Sequence, residues 1–320
     1  APSRGLGDVY KRQKDASAIN DFYKIQSEVA SSDGTYSFDN TGYVSNQYVT
    51  LLNNTSHPQG WKKENNYWYY YFSNGSKATG LQTIENNLYY FNTSGQMQTG
   101  WQEVNNKWYY FDELGYGQKD WKLIGNNWFY FNSSYQMQTG WQEINEKWYY
   151  LSTGVMNIYG KTYYEGYMVT GWLTLGSDWY YFDSTGKRLT GLQKVGNNLF
   201  YFNDSGKMQT GWQKVSNKWY YFDDSGYGQS GWKKLGNTWF YFNSQYQMLT
   251  GWQRINGKWY YLSTGVMEIY GKTYYEGYMV TGWLQLENKW YYLKSDGSMV
   301  TGYYKVGNKT YYFNSSGVMQ

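Results

Sequence analysis

The chain has no cysteine, one histidine and two prolines in 320 residues. Without cysteine there is no disulfide framework, no thiolate metal site and no cysteine nucleophile. The single histidine, His57, excludes a multi-histidine metal centre and leaves little from which to build a serine–histidine triad. No stretch reaches the roughly 18 consecutive apolar residues of a membrane-spanning helix, so no membrane insertion is expected. Neither charge sign dominates: 28 basic residues face 24 acidic ones, spread along the chain, which argues against a nucleic-acid partner. Aliphatic side chains are scarce as well. Leu, Ile, Val and Phe make 55 of the 320 residues, a level that signals disorder when net charge is high. Here the net charge is only +4, and 18 Trp, 42 Tyr and 14 Phe supply large surfaces that bury well and carry polar tips. The chain is expected to fold around an aromatic core. No signal peptide is visible and the sequence opens at Ala1, so a native start is expected upstream.

Self-similarity decides the architecture. Gly-Trp recurs at Gly60-Trp61, Gly100-Trp101, Gly140-Trp141, Gly171-Trp172, Gly211-Trp212, Gly231-Trp232, Gly251-Trp252 and Gly282-Trp283. Asp120-Trp121 fills one further slot, and Gly80-Leu81 and Gly191-Leu192 fill two others without Trp. Each leading Trp is followed seven residues later by a second, and the nine pairs account for all 18 tryptophans, leaving none for a separate core. Units recur every 20 residues, except that an extra 11-residue unit, GKTYYEGYMVT, intervenes at Gly160–Thr170 and Gly271–Thr281. The superperiod is therefore 111 residues, and residues 158–173 and 269–284 are identical. The repeats are expected to run in blocks over 60–170, 171–281 and 282–320, the last one truncated at Gln320.

Residues 1–59 differ. They hold no Trp, and Ile19, Phe22, Ile25 and Val29 within Lys14–Ser32 have a loose apolar spacing that predicts a short helix. Residues 34–44 look like a decayed repeat. The opening APSRGLGDVYKRQ matches nothing downstream and is expected to be a cloning remnant or the tail of a lost domain.

In the unit at Gly100, two β-prone segments flank Asn105-Asn106, where other units carry Asn256-Gly257 or Gly125-Asn126. These residues tolerate the positive φ of a two-residue hairpin turn. Such a turn pairs Val104 with Lys107, Gln102 with Tyr109 and Trp101 with Tyr110. Alternation then places Trp101, Trp108 and Tyr110 on one face and Val104, Tyr109 and Phe111 on the other. A lone hairpin of this size is marginal in water, so the units must stack into an all-β, β-hairpin solenoid of tandem ~20-residue repeats. The Val/Tyr/Phe face is the expected spine. The Trp/Trp/Tyr face is expected to point outward, or to lie at the seam between hairpins. Of ten methionines, eight (Met97, Met137, Met168, Met208, Met248, Met279, Met299 and Met319) lie at the connection to the next unit, where a thioether suits a pocket edge. Two indoles and a phenol around a gap suit a quaternary ammonium, each cation–π contact contributing about 0.5–2 kcal/mol. The same rings suit the C–H face of a sugar, or plain packing.

The pattern G-W-x6-W-Y-Y-F/L-x-x-x-G-x-M-x-T-G resembles the choline-binding, or cell-wall-binding, repeat of Gram-positive surface proteins and phage lysins, and does so over residues 60–320. The resemblance implies a left-handed β-solenoid with choline between successive hairpins, caged by two Trp and a Tyr and often closed by a Met. Carried over by residue, it implies ligand sites at Trp101, Trp108, Tyr110, Trp121, Trp128, Tyr130, Trp141, Trp148 and Tyr150. In the second block it implies Trp212, Trp219, Tyr221, Trp232, Trp239, Tyr241, Trp252, Trp259 and Tyr261, with Met137 and Met248 as closers. The implied partner is choline or phosphocholine of teichoic acid, at a bacterial cell surface or in a secreted protein, and no cofactor. Three departures stand out. Leu81/Leu88 and Leu192/Leu199 are expected to pack without caging a cation. The extra Tyr in Trp68-Tyr69-Tyr70-Tyr71 is expected to shift the register at Gly60, and the inserts to misalign their neighbours. Related repeats occur in glucan-binding domains of glucansucrases and in clostridial toxin tails, so a glucan or surface glycan is the alternative ligand, and a structural spacer a third reading.

Catalysis is not expected within 60–320, because carboxylates such as Asp112, Asp183 and Asp223 sit at turns, where Asp is a turn former. Residues 1–59 are too short for a typical catalytic domain.

Overall fold

The computed structural model describes residues 59–320 and, before them, five short strands between residues 18 and 45. Where Lys14–Ser32 is described it is strand, not the expected helix. Ala18–Ile19 pairs antiparallel with Phe22–Ile25, which also pairs with Gly42–Ser45, and Val29–Ser31 pairs with Gly34–Tyr36. The physical reason is local: Phe22-Tyr23-Lys24-Ile25 is rich in β-formers. The opening APSRGLGDVYKRQ lies outside the described residues. The chain divides into two compact units, residues 1–99 with 114–116, and residues 100–113 with 117–320.

In the second unit, two five-residue strands flank the two-residue turn of each hairpin outside the inserts. In the hairpin Gly100–Val104/Lys107–Phe111, Trp101 faces Tyr110, Gln102 faces Tyr109, Glu103 faces Trp108 and Val104 faces Lys107. This is the expected register. Asn105 and Asn106 take φ of 53° and 58°, as a primed turn demands. Asp120 replaces the glycine that opens the other strands and still adopts φ 59°, which Asp tolerates better than most residues.

Register decides the faces, and the faces decide the stack. Phe111, Phe131, Leu151, Phe182, Phe202, Phe222, Phe242, Leu262, Leu293 and Phe313 are completely buried, one per unit, forming the interior. After each hairpin the chain returns along its own second strand and reaches back one unit. Met137 bridges Phe131 and donates its N–H to the Trp108 carbonyl (2.8 Å), while Gln138 N–H goes to the Tyr130 carbonyl (2.8 Å). Neighbouring units are thus tied by backbone hydrogen bonds as well as by ring packing.

The inserts do not disturb this pattern. Met156–Ile158 and Lys161–Tyr163 form a small hairpin looped out between Leu151 and Met168, which still bridge each other. Ser152 N–H to Tyr167 O (2.8 Å) and Gly166 N–H to Ser152 O (2.7 Å) close its base. Met168 then donates to the Trp128 carbonyl (2.9 Å), as Met137 does to Trp108. The expected misalignment is therefore corrected: the insert is accommodated as a side loop that returns the chain to its place.

In the first unit, Gly60–Glu64 pairs with Tyr67–Tyr71 as Trp61↔Tyr70 and Lys63↔Trp68, the register of every other hairpin. The expected shift does not occur. Tyr71 occupies the position of Phe111, and the surplus aromatic, Phe72, falls where other units place a turn-forming Asp or Asn.

Candidate aromatic cages between hairpins

The two indoles of each Trp-bearing unit share a face, as expected, and of the two expected placements that face takes the seam: it meets the buried face of the following hairpin. Trp101 lies 5.1 Å from Tyr110 of its own hairpin, 6.2 Å from Trp108 at 84°, and 4.7 Å from Phe129 of the next. Trp212 repeats this, with Trp219 at 6.1 Å and 88° and Phe240 at 4.8 Å. Trp121 meets Tyr149 at 4.9 Å, Trp232 meets Tyr260 at 4.9 Å and Trp252 meets Tyr291 at 4.9 Å. Trp128, Trp239 and Trp259 are about 40% exposed at the rim, so each seam is open on one side.

The third ring of each box is therefore not the phenol on the same ribbon. Tyr110, Tyr130, Tyr221 and Tyr241 stand 5.1–5.2 Å behind the leading Trp and brace it. Tyr150 and Tyr261 are buried at 6% exposure. The cavity wall comes instead from Phe129, Tyr149, Phe240 and Tyr260, which belong to the next unit and were assigned to the spine by sequence reasoning. The cause is stacking direction: the indole face of one hairpin covers the Tyr/Phe face of its successor, so the residue nearest the gap is the partner's. Burial, with the Asp183 charge adding to it, pushes the Tyr149 phenol up from its ordinary value, so this wall stays neutral and electron-rich.

Three cavities show the result. One of about 500 Å³ is lined by Trp212, Trp219, Phe240 and Met248, with Val266, Tyr275, Glu276 and Tyr278 from the second insert at its mouth. Trp219 Nε1 donates to Glu276 Oε2 (3.1 Å), which fixes the rim indole. A second, of about 390 Å³, lies between Trp232, Trp239, Tyr260 and Met279, with Asp296 beside it. A hydrogen bond from the Ser298 hydroxyl, with the Ser298 N–H, holds the Asp296 carboxyl below the usual carboxylate range.

The third cavity, about 490 Å³, was missed from the sequence. It is formed by Trp172, Trp179, Phe200 and Met208, with Tyr159 of the first insert 6.2 Å from Trp179. Boxes at Trp61/Trp68 with Tyr89 (4.7 Å) and at Trp283/Trp290 with Tyr311 (4.9 Å) were missed too. A signal for them exists. The closing Met follows the second Trp by 29 residues in Trp108/Met137, Trp179/Met208, Trp219/Met248 and Trp290/Met319, and by 40 where an insert intervenes, as in Trp128/Met168. Backbone bonds confirm the closers: Met248, Met279, Met299 and Met319 donate to the carbonyls of Trp219, Trp239, Trp259 and Trp290 at 2.7–2.9 Å. A glycine from a later unit lies against each of these closers except Met319. Gly277 has φ 83°, and a Cβ there would collide with the Met248 sulfur.

Two seams depart. Leu192/Leu199 has Gly228 at the closing position and Tyr246, at φ 62°, packed over it, its hydroxyl directed to the Asn197 carbonyl (3.4 Å). That seam is filled, as expected for a Leu unit. At Trp141/Trp148, Arg188 stands in the methionine position, its guanidinium carbon 5.7 and 5.5 Å from the two indoles. The expected site of Trp141, Trp148 and Tyr150 is corrected accordingly: a cation already occupies it, and Tyr180 (5.0 Å from Trp141), not Tyr150, is its third ring.

Comparison with known proteins agrees with this geometry. A choline-binding repeat model matches residues 59–98, 78–115, 189–227 and 280–320. A putative cell wall binding repeat model matches 119–134, 139–154, 170–187, 230–245 and 250–265. Among solved structures, CbpJ from Streptococcus pneumoniae TIGR4 is 32% identical, covering 82% of this chain and all of its own, with a TM-score of 0.55. Choline binding protein F from Streptococcus pneumoniae, in the presence of a peptidoglycan analogue, is 32% identical over 83% of this chain and all of its own, with a TM-score of 0.53. The CbpF complex with ipratropium is 30% identical over the same shares, with a TM-score of 0.51. No curated protein sequence matches the chain. The described hairpins and their Trp–Trp seams are those of a repeat-built binding module, and the chain belongs to the choline-binding, or cell-wall-binding, repeat family.

Proposed function

We propose that the methionine-closed seams each hold the trimethylammonium head of choline, and that the module thereby attaches its protein to choline-bearing teichoic acid of a bacterial cell wall. Residues 60–320 act in this reading as a non-catalytic anchor at the cell surface or on a secreted protein. The carrying observation is repetition of one box: two indoles nearly perpendicular at 6.1–6.2 Å, a ring from the next hairpin at 4.7–4.8 Å and a thioether. Such a box gives a cation three ring faces. Weak sites in series on a repeating polymer yield avidity, provided their spacing allows simultaneous contact. The similarity to choline binding protein F, solved with a peptidoglycan analogue, supports a wall ligand. Calorimetric titration of the full chain with choline chloride tests the reading: saturable heat in the millimolar range is expected, and no heat there sinks it. Retention on dextran that choline leaves untouched would favour a glycan ligand instead.

A further inference from the structure

One seam already contains a cation, and it belongs to the chain. Between the hairpins at 140–151 and 171–182, Trp141 and Trp148 stand 6.3 Å apart at 75° and Tyr180 lies 5.0 Å from Trp141, the same box as its neighbours. The residue whose N–H donates to the Trp148 carbonyl (2.8 Å) is Arg188, where eight other seams place methionine. Its guanidinium carbon sits 5.5–5.7 Å from both indole centres, within cation–π range. One end is anchored, Nη2 donating to the Asp204 carbonyl (3.0 Å). Nε is buried without a hydrogen-bond partner, as befits a group facing rings instead of acceptors. Gly206 lies against the side chain so closely that a Cβ there would strike Arg188 Cδ. Glu143 pairs with Trp148 across the hairpin, on the indole face, and adds an attractive charge.

The chain holds its own control. In the duplicated block, 111 residues on, Trp252, Trp259 and Tyr291 form the matching seam, with Met299 for Arg188 and Arg254 for Glu143. Both charges change together. An acid accompanies the caged guanidinium in one copy, and a base accompanies the neutral thioether in the other.

We infer that the Trp141/Trp148 seam is a cage whose resident ligand is the Arg188 guanidinium, so that it takes no choline while the methionine-closed seams do. This rests on the choline reading above. A free ligand must displace a group tethered at high effective concentration, and arginine does not lose its charge in the physiological range. Guanidinium also stacks flat on an indole, which a compact ammonium does not. The seam is thereby closed whatever the ligand concentration, and the hairpins on either side of it stay joined when the other cages empty.

Crystals of the full chain soaked in choline chloride provide the test. In the wild type, choline is expected between Trp252 and Trp259, with Arg188 still between Trp141 and Trp148. In Arg188→Met, choline is expected in both seams, a gain of one site. The double variant Arg254→Glu/Met299→Arg is expected to lose choline from the Trp252 seam alone, and it tests the inference independently should Arg188→Met fail to fold. Choline displacing Arg188 in the wild type overturns the inference, as does an Arg188→Met seam left empty while the methionine-closed seams fill. No choline in any seam overturns the functional reading itself, a result distinct from either of these.

Discussion

Replacing Trp219 with leucine removes one wall of the 500 Å³ cage while asking nothing new of the fold, since Leu199 holds the same position in the preceding hairpin. The backbone link survives, because the Trp219 carbonyl that accepts from Met248 is unaffected. What goes is one ring face toward the ligand and the Nε1 bond to Glu276. The seam is open on one side, so the lost cation–π contact lies between its exposed and desolvated values, about 1–2 kcal/mol. That corresponds to roughly 5- to 30-fold weaker choline binding at this seam. The stability cost is expected to be about 1 kcal/mol, one exposed hydrogen bond and a partly exposed side chain. Bulk calorimetry would average the change over all sites. Carbon-13 methyl spectra of the methionines resolve it, because each closer reports on its own cage. The Met248 midpoint is expected to rise 5- to 30-fold while those of Met299 and Met319 stay, since distant repeats behave independently. An unchanged Met248 midpoint, or an equal change at every methionine, would refute the reasoning.

Other consequences are as direct. Gly277→Ala places a side chain at φ 83° against the Met248 sulfur, so it is expected to weaken the same cage and to cost about 1–2 kcal/mol in denaturant unfolding. Wild-type stability in that measurement would contradict the close approach. Tyr246→Ala is expected to open space over Leu199 without creating a choline site, because that seam has no indoles; a new binding event there would show that the pair is dispensable. Asp296, held below the usual carboxylate range by Ser298, stays ionised through neutral pH, and its charge is lost only as pH falls through that lowered value. Choline binding at the Met279 cage is thus expected to be flat from about pH 5 to 9 and to weaken only in stronger acid; a midpoint that shifts between pH 5 and 8 would exclude this role. Saturating choline is expected to raise the unfolding temperature, each seam adding about 1.4 kcal/mol at ten times its dissociation constant, and unchanged unfolding would exclude binding to the folded state.

Much of this was legible in the sequence, because β-pairing is local. The dipeptide Asn105-Asn106 sets the turn, the turn sets Trp101 opposite Tyr110, and alternation then assigns every ring to a face. Which face of one hairpin meets which face of the next is a non-local fact, and there the reasoning failed. Tyr110 sits beside Trp101 on the same ribbon and looks like the third wall, but Phe129 fills that place because it arrives from the following unit. The inserts misled for a similar reason: their length breaks the count, yet Ser152 and Tyr167 pair at their base and restore the register at Met168. Arg188 carries no sequence signal by itself. It becomes readable only once its position is aligned with Met137 and Met248.

Titrating choline into the wild-type chain while following all ten methionine methyl groups tests the central claim most directly. Met97, Met137, Met168, Met208, Met248, Met279, Met299 and Met319 are expected to shift with ring-current signatures, whereas Met156 and Met267, placed on the insert hairpins, remain still. Shifts at all ten alike, or at none, would contradict the assignment of ligand to the seams.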